Sequence, residues 1–409
     1  MTELQALSEL LTDDPEMIPS IVSVDSRLSI AMSTKDMLAL VSRVSAVVPS
    51  KELVPGTSMM LIEGVVSSSA VPHIRFSASD GAQWIQVVAD SGLRVFTPGS
   101  AVVPAKKILE ALKLAPASTV KLTVVDRSVT LLSGRARWTF ATVLSDRLNT
   151  TPVEEDVDLS ELPAGELAGA LRAVLPAVAT SDSRPTFTQA HIEDGSVTAT
   201  DGARLHRCRI TSLPAHVTAD IPSRVIARVL DLLGTVDPAR AVHFGTTERR
   251  IHFQVGDSRI VAQRVLLPFP NVEQIMLGAG MANERSFTVG AERLREAVKR
   301  VRINSDPDHS TIFLSLRQPV SDLWALSVRS KDKDGNESVE HIRAQWTGTK
   351  PRDLAVNHHH LSAVLSQLHG DYAIVRVSET DTQGSKSPLL FADEGFTAIL
   401  SQLRTDWIR

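Results

Sequence analysis

Apolar residues recur along this chain in two rhythms. Three stretches carry them at i, i+4 and i+7: Met37, Val41 and Val44 in KDMLALVSRV, Leu167, Leu171 and Val174 in ELAGALRAV, and Leu294, Val298 and Val301 in ERLREAVKRV. That spacing lines one face of an α-helix. A second helical trio follows, in VPAKKILEAL from Val103, IPSRVIARVLDLL from Ile221 and VNHHHLSAVLSQL from Val356. Each opens on an apolar residue that ends a strand. Pro104, Pro222 or Asn357 comes next, and at a helix start proline tolerates its missing donor while asparagine caps. Ile108, Ile226 and Leu361 then align, as do Leu112, Leu230 and Leu365. Between these helices the rhythm becomes alternation, as in HIRFSASDG, VKLTVV, SVTATDG, IHFQVG, LWALSVRS and LLFAD. Such runs, closed by Gly, Asp or Asn turns, predict strands.

Met37 to Leu167 is 130 residues and Leu167 to Leu294 is 127. A period that long exceeds any solenoid repeat, so it marks three similar domains, each large enough for its own core. Each predicts two helices packed on antiparallel sheets of about eight strands, an α+β architecture. The expected boundaries are an N-terminal arm at 1–26, domains at 27–152, 157–276 and 284–409, an acidic linker VEEDVD at 153–158 and a Gly-containing linker MLGAGMANE at 276–284.

The 43% hydrophobic content suits packed cores rather than disorder, and the net charge is only −4. No apolar run is long enough to cross a bilayer, and the acidic N-terminus lacks a signal-peptide layout, so the expected compartment is the cytoplasm with no membrane partner. One cysteine, Cys208, fits a reducing compartment. Aromatics at 4% argue against stacking platforms for single-stranded nucleic acid. The six predicted helices hold thirteen basic and five acidic residues, which leaves the rest of the chain at −12. Such segregation suggests a basic helical surface facing phosphates behind an acidic shell. The alternative is that these helix faces are merely solvated.

No nucleotide-binding, zinc-protease, nucleophile-elbow or CxxC motif occurs. Asp306 and Asp308 read as a polar turn, and KDKDGNE at 331–337 as a hairpin turn, because Gly335 is misplaced for a calcium loop. His358, His359 and His360 are consecutive on a helix start and cannot converge on one ion, so they read as a capping, solvent-facing cluster. Cys208, between Arg207 and Arg209, reads as a partly buried strand residue. No metal, cofactor or catalytic group is expected, which favours a binding protein over an enzyme.

Several phrases are more specific. SDSRPTF and ATDGARL (181–187 and 199–205), LLPFPNVEQIM (266–276), AVVPAKKILEAL, LLSGRARWTFATV, NHHHLSAVLSQL and LLFADEGFTAILSQLR resemble segments of the bacterial DNA polymerase III β sliding clamp family, in the family's order over about residues 28–404. The resemblance implies a head-to-tail dimer forming a six-domain ring, with helices lining the hole. Its partners are sequence-independent double-stranded DNA, a second copy, DNA polymerase, the clamp loader and other proteins bearing clamp-binding motifs. The DNA-facing side chains are then Arg43, Lys106, Lys107, Arg172, Arg224, Arg228, Arg293, Arg295, Lys299, Arg300 and Arg302. The alternative is a clamp-like protein-binding scaffold that no longer loads on DNA.

By motif match, the family's ring interface falls on Arg135, Arg137, Trp138 and Phe140, with Ile303, Asp332, Asp334, Glu337 and Glu340 as partners. Alternation puts the two arginines on one face and the two aromatics on the other; the other reading buries the aromatics in their own domain. The family's partner-peptide cleft matches Phe187, Thr200, Gly202, Ala203, Arg204, Leu205, Pro270, Gln274, Ile275, Asn357, His360, Ile399, Leu400, Ser401, Gln402, Leu403 and Arg404. Asp201 and Gly202 also read as a turn. The family's Met-Pro-Met/Val-Arg-Leu ending is replaced here by Ser401-Gln402-Leu403-Arg404-Thr405 and a further DWIR, a more polar pocket with added Trp407 and Ile408.

Overall fold

A computed structural model describes residues 26–49, 56–67, 70–142, 157–181, 184–280, 285–320, 323–348, 351, 353–377 and 388–403. Most of the expected arm, most of the acidic linker and Arg404 lie outside them. The first repeat runs β1 (Ser26–Ser33), α1 (Thr34–Ser45), β2 (Met59–Ser67), β3 (Ala70–Ser79), β4 (Gln83–Ala89), β5 (Leu93–Thr97), β6 (Gly99–Pro104), α2 (Ala105–Lys113), β7 (Thr119–Val125), β8 (Ser128–Ser133) and β9 (Ala136–Ala141). The second runs β10 (Ser160–Pro163), α3 (Ala164–Val174), β11 (Gln189–Glu193), β12 (Ser196–Thr200), β13 (Arg204–Arg209), β14 (Ala219–Pro222), α4 (Ser223–Leu233), β15 (Ala241–Thr246), β16 (Arg250–Val255), β17 (Ser258–Gln263) and α5 (Val272–Gly280). The third runs β18 (Ser286–Gly290), α6 (Ala291–Val301), β19 (Thr311–Val320), β20 (Leu323–Lys331), β21 (Glu337–Thr347), β22 (Leu354–Asn357), α7 (His358–Leu365), β23 (Tyr372–Val377), β24 (Leu389–Asp393) and β25 (Phe396–Leu400). The fold is α+β, with the threefold order strand, helix, strands, helix, three strands.

The helices form where the 3.6-residue rhythm places them. Met37, Val41, Val44, Leu167, Leu171, Val174, Leu294, Val298 and Val301 are all buried, as are Ile108, Ile226, Leu361, Leu112 and Leu365, while Leu230 is half-buried. At ~1.5–3 kcal/mol per fully buried large aliphatic side chain, these stripes anchor each helix. Ser33 caps α1 by accepting the Asp36 N–H, and Asn357 caps α7 by accepting those of His359 and His360. The segment expected as the linker 276–284 overlaps α5, which Asn271 starts by accepting the Gln274 N–H at 3.1 Å.

The chain divides into two compact units, Met1–Ala164 with Ala227–Arg264, and Gly165–Ile226 with Val265–Arg409. The division falls inside the second repeat, and strand pairing is the reason. In the first unit, β17 joins β4, so an eight-stranded sheet runs β10-β15-β16-β17-β4-β3-β2-β6 beside the five-stranded β5-β1-β7-β8-β9. In the second unit, β13 joins β25 within a twelve-stranded sheet, β14-β11-β12-β13-β25-β24-β23-β18-β21-β20-β19-β22. Each half of the second repeat thus shares a sheet with a neighbouring repeat. The second unit's main core gathers Phe287, Leu294, Val298, Leu326, Leu361 and Phe391.

Candidate functional site

The second unit holds an apolar surface built where β13 meets β25. The two pair antiparallel, with Leu205 opposite Ile399 and Arg204 opposite Leu400. Leu205 and Ile399 point to one face and join Val272 and Leu390, with Phe269 and Met276 packed alongside. Ile275 on α5 is 41% exposed, and Leu266 and Leu267 in the preceding loop are 68% and 45% exposed. That loop is held from below. Gln189 Nε2 donates to the Leu267 carbonyl at 3.3 Å, and Phe269 stacks on His191 at 4.9 Å, whose Nδ1 is 2.8 Å from Asp220 Oδ1.

The rim is the β12–β13 turn. Asp201 Oδ1 accepts the N–H groups of Ala203 and Arg204, its Oδ2 accepts Arg204 Nε at 3.0 Å, and Thr200 Oγ1 donates to the Arg204 carbonyl. Gly202 sits at φ +88°, and a Cβ there would come 2.7 Å from Arg184 Nη1 and 3.2 Å from the Phe187 ring. Beyond β25, the Ser401 N–H donates to the Ala203 carbonyl and that of Leu403 to the Ala355 carbonyl, which carries the chain past Asn357 and α7. Burial, and then the nearby Arg204 guanidinium, push the His360 imidazole below its ordinary value.

Among the strand edges left unpaired in the described residues are those of β9 and β21. β9 ends the five-stranded sheet, paired only with β8. Arg135 and Arg137 are exposed, and Trp138 and Phe140 half-buried, in the expected alternation. In the second unit, β21 pairs with β20 from Glu337 to Ala344 and with β18 only from Ala344 onward, so Glu337–Arg343 has a free side. Ile303 is 79% exposed, and the next residue, Asn304, donates to Ser338 Oγ on that edge. Of the expected acidic partners, Glu337 binds Arg329, Glu340 binds Arg300, and Asp332 is occupied by the turn N–H groups of Asp334 and Asn336.

The cations of the helices fall into two groups. Lys107, Arg172, Arg224, Arg293, Lys299 and Arg302 are exposed and make no hydrogen bond or ion pair among the described residues. The others are engaged: Arg43 with Asp231, Lys106 with the Pro49 carbonyl, Arg228 with the Ala46 carbonyl, and Arg300 with Glu296 and Glu340. Arg295 spans the Leu365 and Leu368 carbonyls and Glu292.

Comparison with known proteins agrees with this architecture. Residues 28–152 match the family model of the DNA polymerase III beta subunit, N-terminal domain. The beta sliding clamp of Synechocystis is 22% identical over 333 residues, covering 74% of this chain and 82% of that one, and the beta sliding clamp of Bacillus subtilis 21% over 369, covering 85% and 93%. The crystal structure of the beta sliding clamp from C. crescentus superposes with a TM-score of 0.80 at 19% identity, covering 93% of this chain and all of the other. The DNA polymerase sliding clamp from Pseudomonas aeruginosa gives 0.77 at 19%, covering 92% and 100%. Residues 28–152 thus match that family's N-terminal domain, and the chain as a whole has the fold of the DNA polymerase sliding clamps.

Within that family's fold, the cleft residues named from the sequence are only partly brought together. Leu205 and Ile399 lie in the apolar cluster, Phe187, Gly202 and Arg204 come together at the β12–β13 turn, and Leu403 bonds to Ala355 two residues before Asn357. Leu400 is misplaced by that reading. Strand alternation turns it away from Ile399 and buries it completely in the main core of the unit. Thr200 is likewise buried, tying the turn. Val272, Leu390, Phe269 and Met276 were missed, although LLFAD alternates as Leu390 requires.

The remaining motifs resolve as local structure. Asp306 accepts the N–H groups of Asp308 and His309 in a turn, and Asp332 closes the β20–β21 hairpin. His358 is not solvent-facing as expected but buried, and burial, followed by His359 and Arg302, pushes its imidazole down to about 4. Cys208 is half-buried on β13, and burial, then Glu166, push its thiol up. Among the described residues no His, Cys, Asp and Glu group is arranged to hold a metal, and no helix is long and apolar enough to cross a membrane.

Proposed function

We propose that this protein is a DNA sliding clamp, a processivity factor that encircles duplex DNA as a homodimeric six-domain ring and tethers DNA polymerase, the clamp loader and other peptide-bearing partners through the β13–β25 cleft. The observation that carries the reading is a repeated joint. Asp80, Asp201 and Asp332 each open the turn before β4, β13 and β21. Trp84 then pairs with Val261, and Leu205 with Ile399, each the fourth residue of the strand that follows a hairpin. The register is the same in both joints. Carried to the two open edges, it sets Glu337 of one copy opposite Thr139 of another, Ser338 opposite Trp138 and Val339 opposite Arg137. Trp138 and Phe140 then meet the surface beside Ile303, and Glu337 lies diagonal to Arg137. An edge strand invites pairing, and closing two equivalent heterologous contacts makes a ring.

In this reading the unpaired cations Lys107, Arg172, Arg224, Arg293, Lys299 and Arg302 face the duplex, where loose phosphate contacts give sequence-independent, salt-sensitive attraction. The ring's topology then retains it, and no catalytic step or cofactor is assigned. The setting is the cytoplasm, away from membranes. The test is retention after loading. The dimer should stay on nicked circular DNA and leave once the circle is cut. Equal retention on both forms rejects topological binding. Replacing Arg293, Lys299 and Arg302 with Glu should impair loading while the dimer mass is unchanged; full loading by that variant rejects them as phosphate contacts.

A further inference from the structure

In the first unit, the five-stranded sheet β5-β1-β7-β8-β9 buries Ile30, Leu122 and Leu131 on one face and turns Arg94, Thr123, Thr130 and Arg137 to the other. Its five strands hold Arg27, Arg94, Lys121 and Arg137 and no aspartate or glutamate. Asp90 and Asp126 stand in the adjoining turns. The face is thus basic in a chain of net charge −4, where an acidic shell was expected. Ala31 pairs with Arg94 on one side and Lys121 on the other, so the three share a row. At ~4.8 Å per strand, the two cations stand on the order of 10 Å apart. In the next row Ser29 Oγ and Thr123 Oγ1 are 3.4 Å apart, and Thr130 Oγ1 and Thr139 Oγ1 3.5 Å. Lys121 is 7% exposed, and its Nζ lies 4.8 Å from the centroid of the Phe96 ring. The ammonium covers one side of that ring, which is nonetheless 51% exposed. Burial pushes the Lys121 ammonium below its ordinary value, and no carboxylate pairs with it or with Arg94 among the described residues.

We infer that this sheet face binds single-stranded nucleic acid, with phosphates on Arg94 beside the Lys121 charge and one base on the open side of Phe96. The surface is separate from the helix cations assigned to the duplex. Arg137 lies beside the edge where a second copy would pair, which leaves Arg94, Lys121 and Phe96 at the far side of the sheet for the strand. A basic track with an exposed ring is what a single strand requires, because every base has a face to stack and every linkage a charge. Phe96 offers one stacking position rather than a platform, in keeping with aromatics at 4% of the chain. A duplex hides the faces of its bases and would leave the ring unused. A protein partner would need a desolvated apolar centre, whereas this face sets rows of hydroxyls and cations around one ring.

The probe is 5′-fluorescein dT10, titrated with the full chain at low ionic strength by fluorescence anisotropy. Phe96→Ala should weaken binding about tenfold, the loss of one stacked base, and Arg94→Glu by at least as much. Phe96→Trp should keep the parent affinity, and all three variants should keep the parent circular dichroism spectrum. Replacing Arg293, Lys299 and Arg302 with Glu should leave dT10 binding unchanged. Unaltered affinity in Phe96→Ala overturns the inference. Loss of dT10 binding in the helix variant also overturns it, since the strand then lies on the helix cations. A dT10·dA10 duplex that binds as tightly, with the same dependence on Phe96, overturns it because no unpaired base is then needed. So does tighter, Phe96-dependent binding of a peptide with the sequence of residues 1–25, which is acidic and holds no lysine or arginine; the face then serves a protein segment.

Discussion

The joint between β13 and β25 and the free side of β21 differ in exposure. In the joint, Leu205 is 2% exposed, Ile399 4% and His206 0%; on the free side of β21 Val339 is 46% exposed, and Ile303, in the turn beside it, 79%. The other internal joint, between β4 and β17, is sealed like the first, with Trp84 at 7% and Ile260 at 1%. The apolar residues are present in all three places. The difference is that two of the edges find a complementary strand in their own chain and the third does not. Under the proposed ring, such an exposed apolar edge is where the second copy would pair.

The largest expected effect breaks that comparison at its open member. Trp138→Glu or Ile303→Glu puts a charge into the surface the second copy would cover, and removing an aromatic or aliphatic anchor from such an interface costs several kcal/mol. The dimer dissociation constant should rise by about 100-fold or more, read by mass photometry or light scattering against concentration, with an unchanged circular dichroism spectrum. A variant that stays dimeric at the parent's concentration shows that ring closure lies elsewhere.

A smaller effect probes the sealed member. His206 is wholly buried in β13, with its Nδ1 2.8 Å from the Ala173 carbonyl and its ring edge-on to Phe396. Burial pushes its imidazole down to about 4. The unfolded chain therefore binds this proton first as pH falls from about 6.5, and stability is lost between that value and about 4. The integral is about 3 kcal/mol by linkage. Thermal unfolding should show Tm falling over this window, and His206→Gln should flatten the fall. An equally steep loss in the variant places the acid sensitivity in another group, and His358, also held near 4, is the first to examine.

This contrast also separates what local sequence reveals from what it hides. The helices were legible because burial follows a 3.6-residue period, and Met37, Val41 and Val44 needed no distant partner to be read as a face. β21 was not, because its exposure alternates but the more covered face carries the polar Ser338 and Glu340 and the exposed face the apolar Val339, so the sequence does not alternate with it. α5 was obscured by Gly278 and Gly280, whose poor helix propensity read as a linker. In the site, family-like phrases found the turn and the β25 segment but not Leu400's inward face. Nothing near Arg295 or Arg300 announces that the Leu365 and Leu368 carbonyls or Glu340 occupy them, because those partners are 40 or more residues away. The cations that remain unpaired could be known only from the fold.

The finest comparison is among three glycines in the turns that precede β4, β13 and β21. Gly81, Gly202 and Gly335 all have φ near +90°, at +92°, +88° and +91°. A residue with a Cβ is strained there, at about 1–3 kcal/mol per position. Only Gly202 is also crowded, since an added methyl meets Arg184 Nη1 and the Phe187 ring, whereas Gly81 and Gly335 have nothing within 4 Å. Alanine at each position should therefore lower the urea midpoint, while Gly202→Ala alone shifts Arg184 and Phe187 and weakens binding of a partner peptide at the proposed β13–β25 cleft by a few-fold. If Gly81→Ala weakens the peptide equally, the loss reflects general destabilisation. If Gly202→Ala leaves binding intact, the peptide does not rest on this turn, and the rim is less tightly built than its contacts indicate.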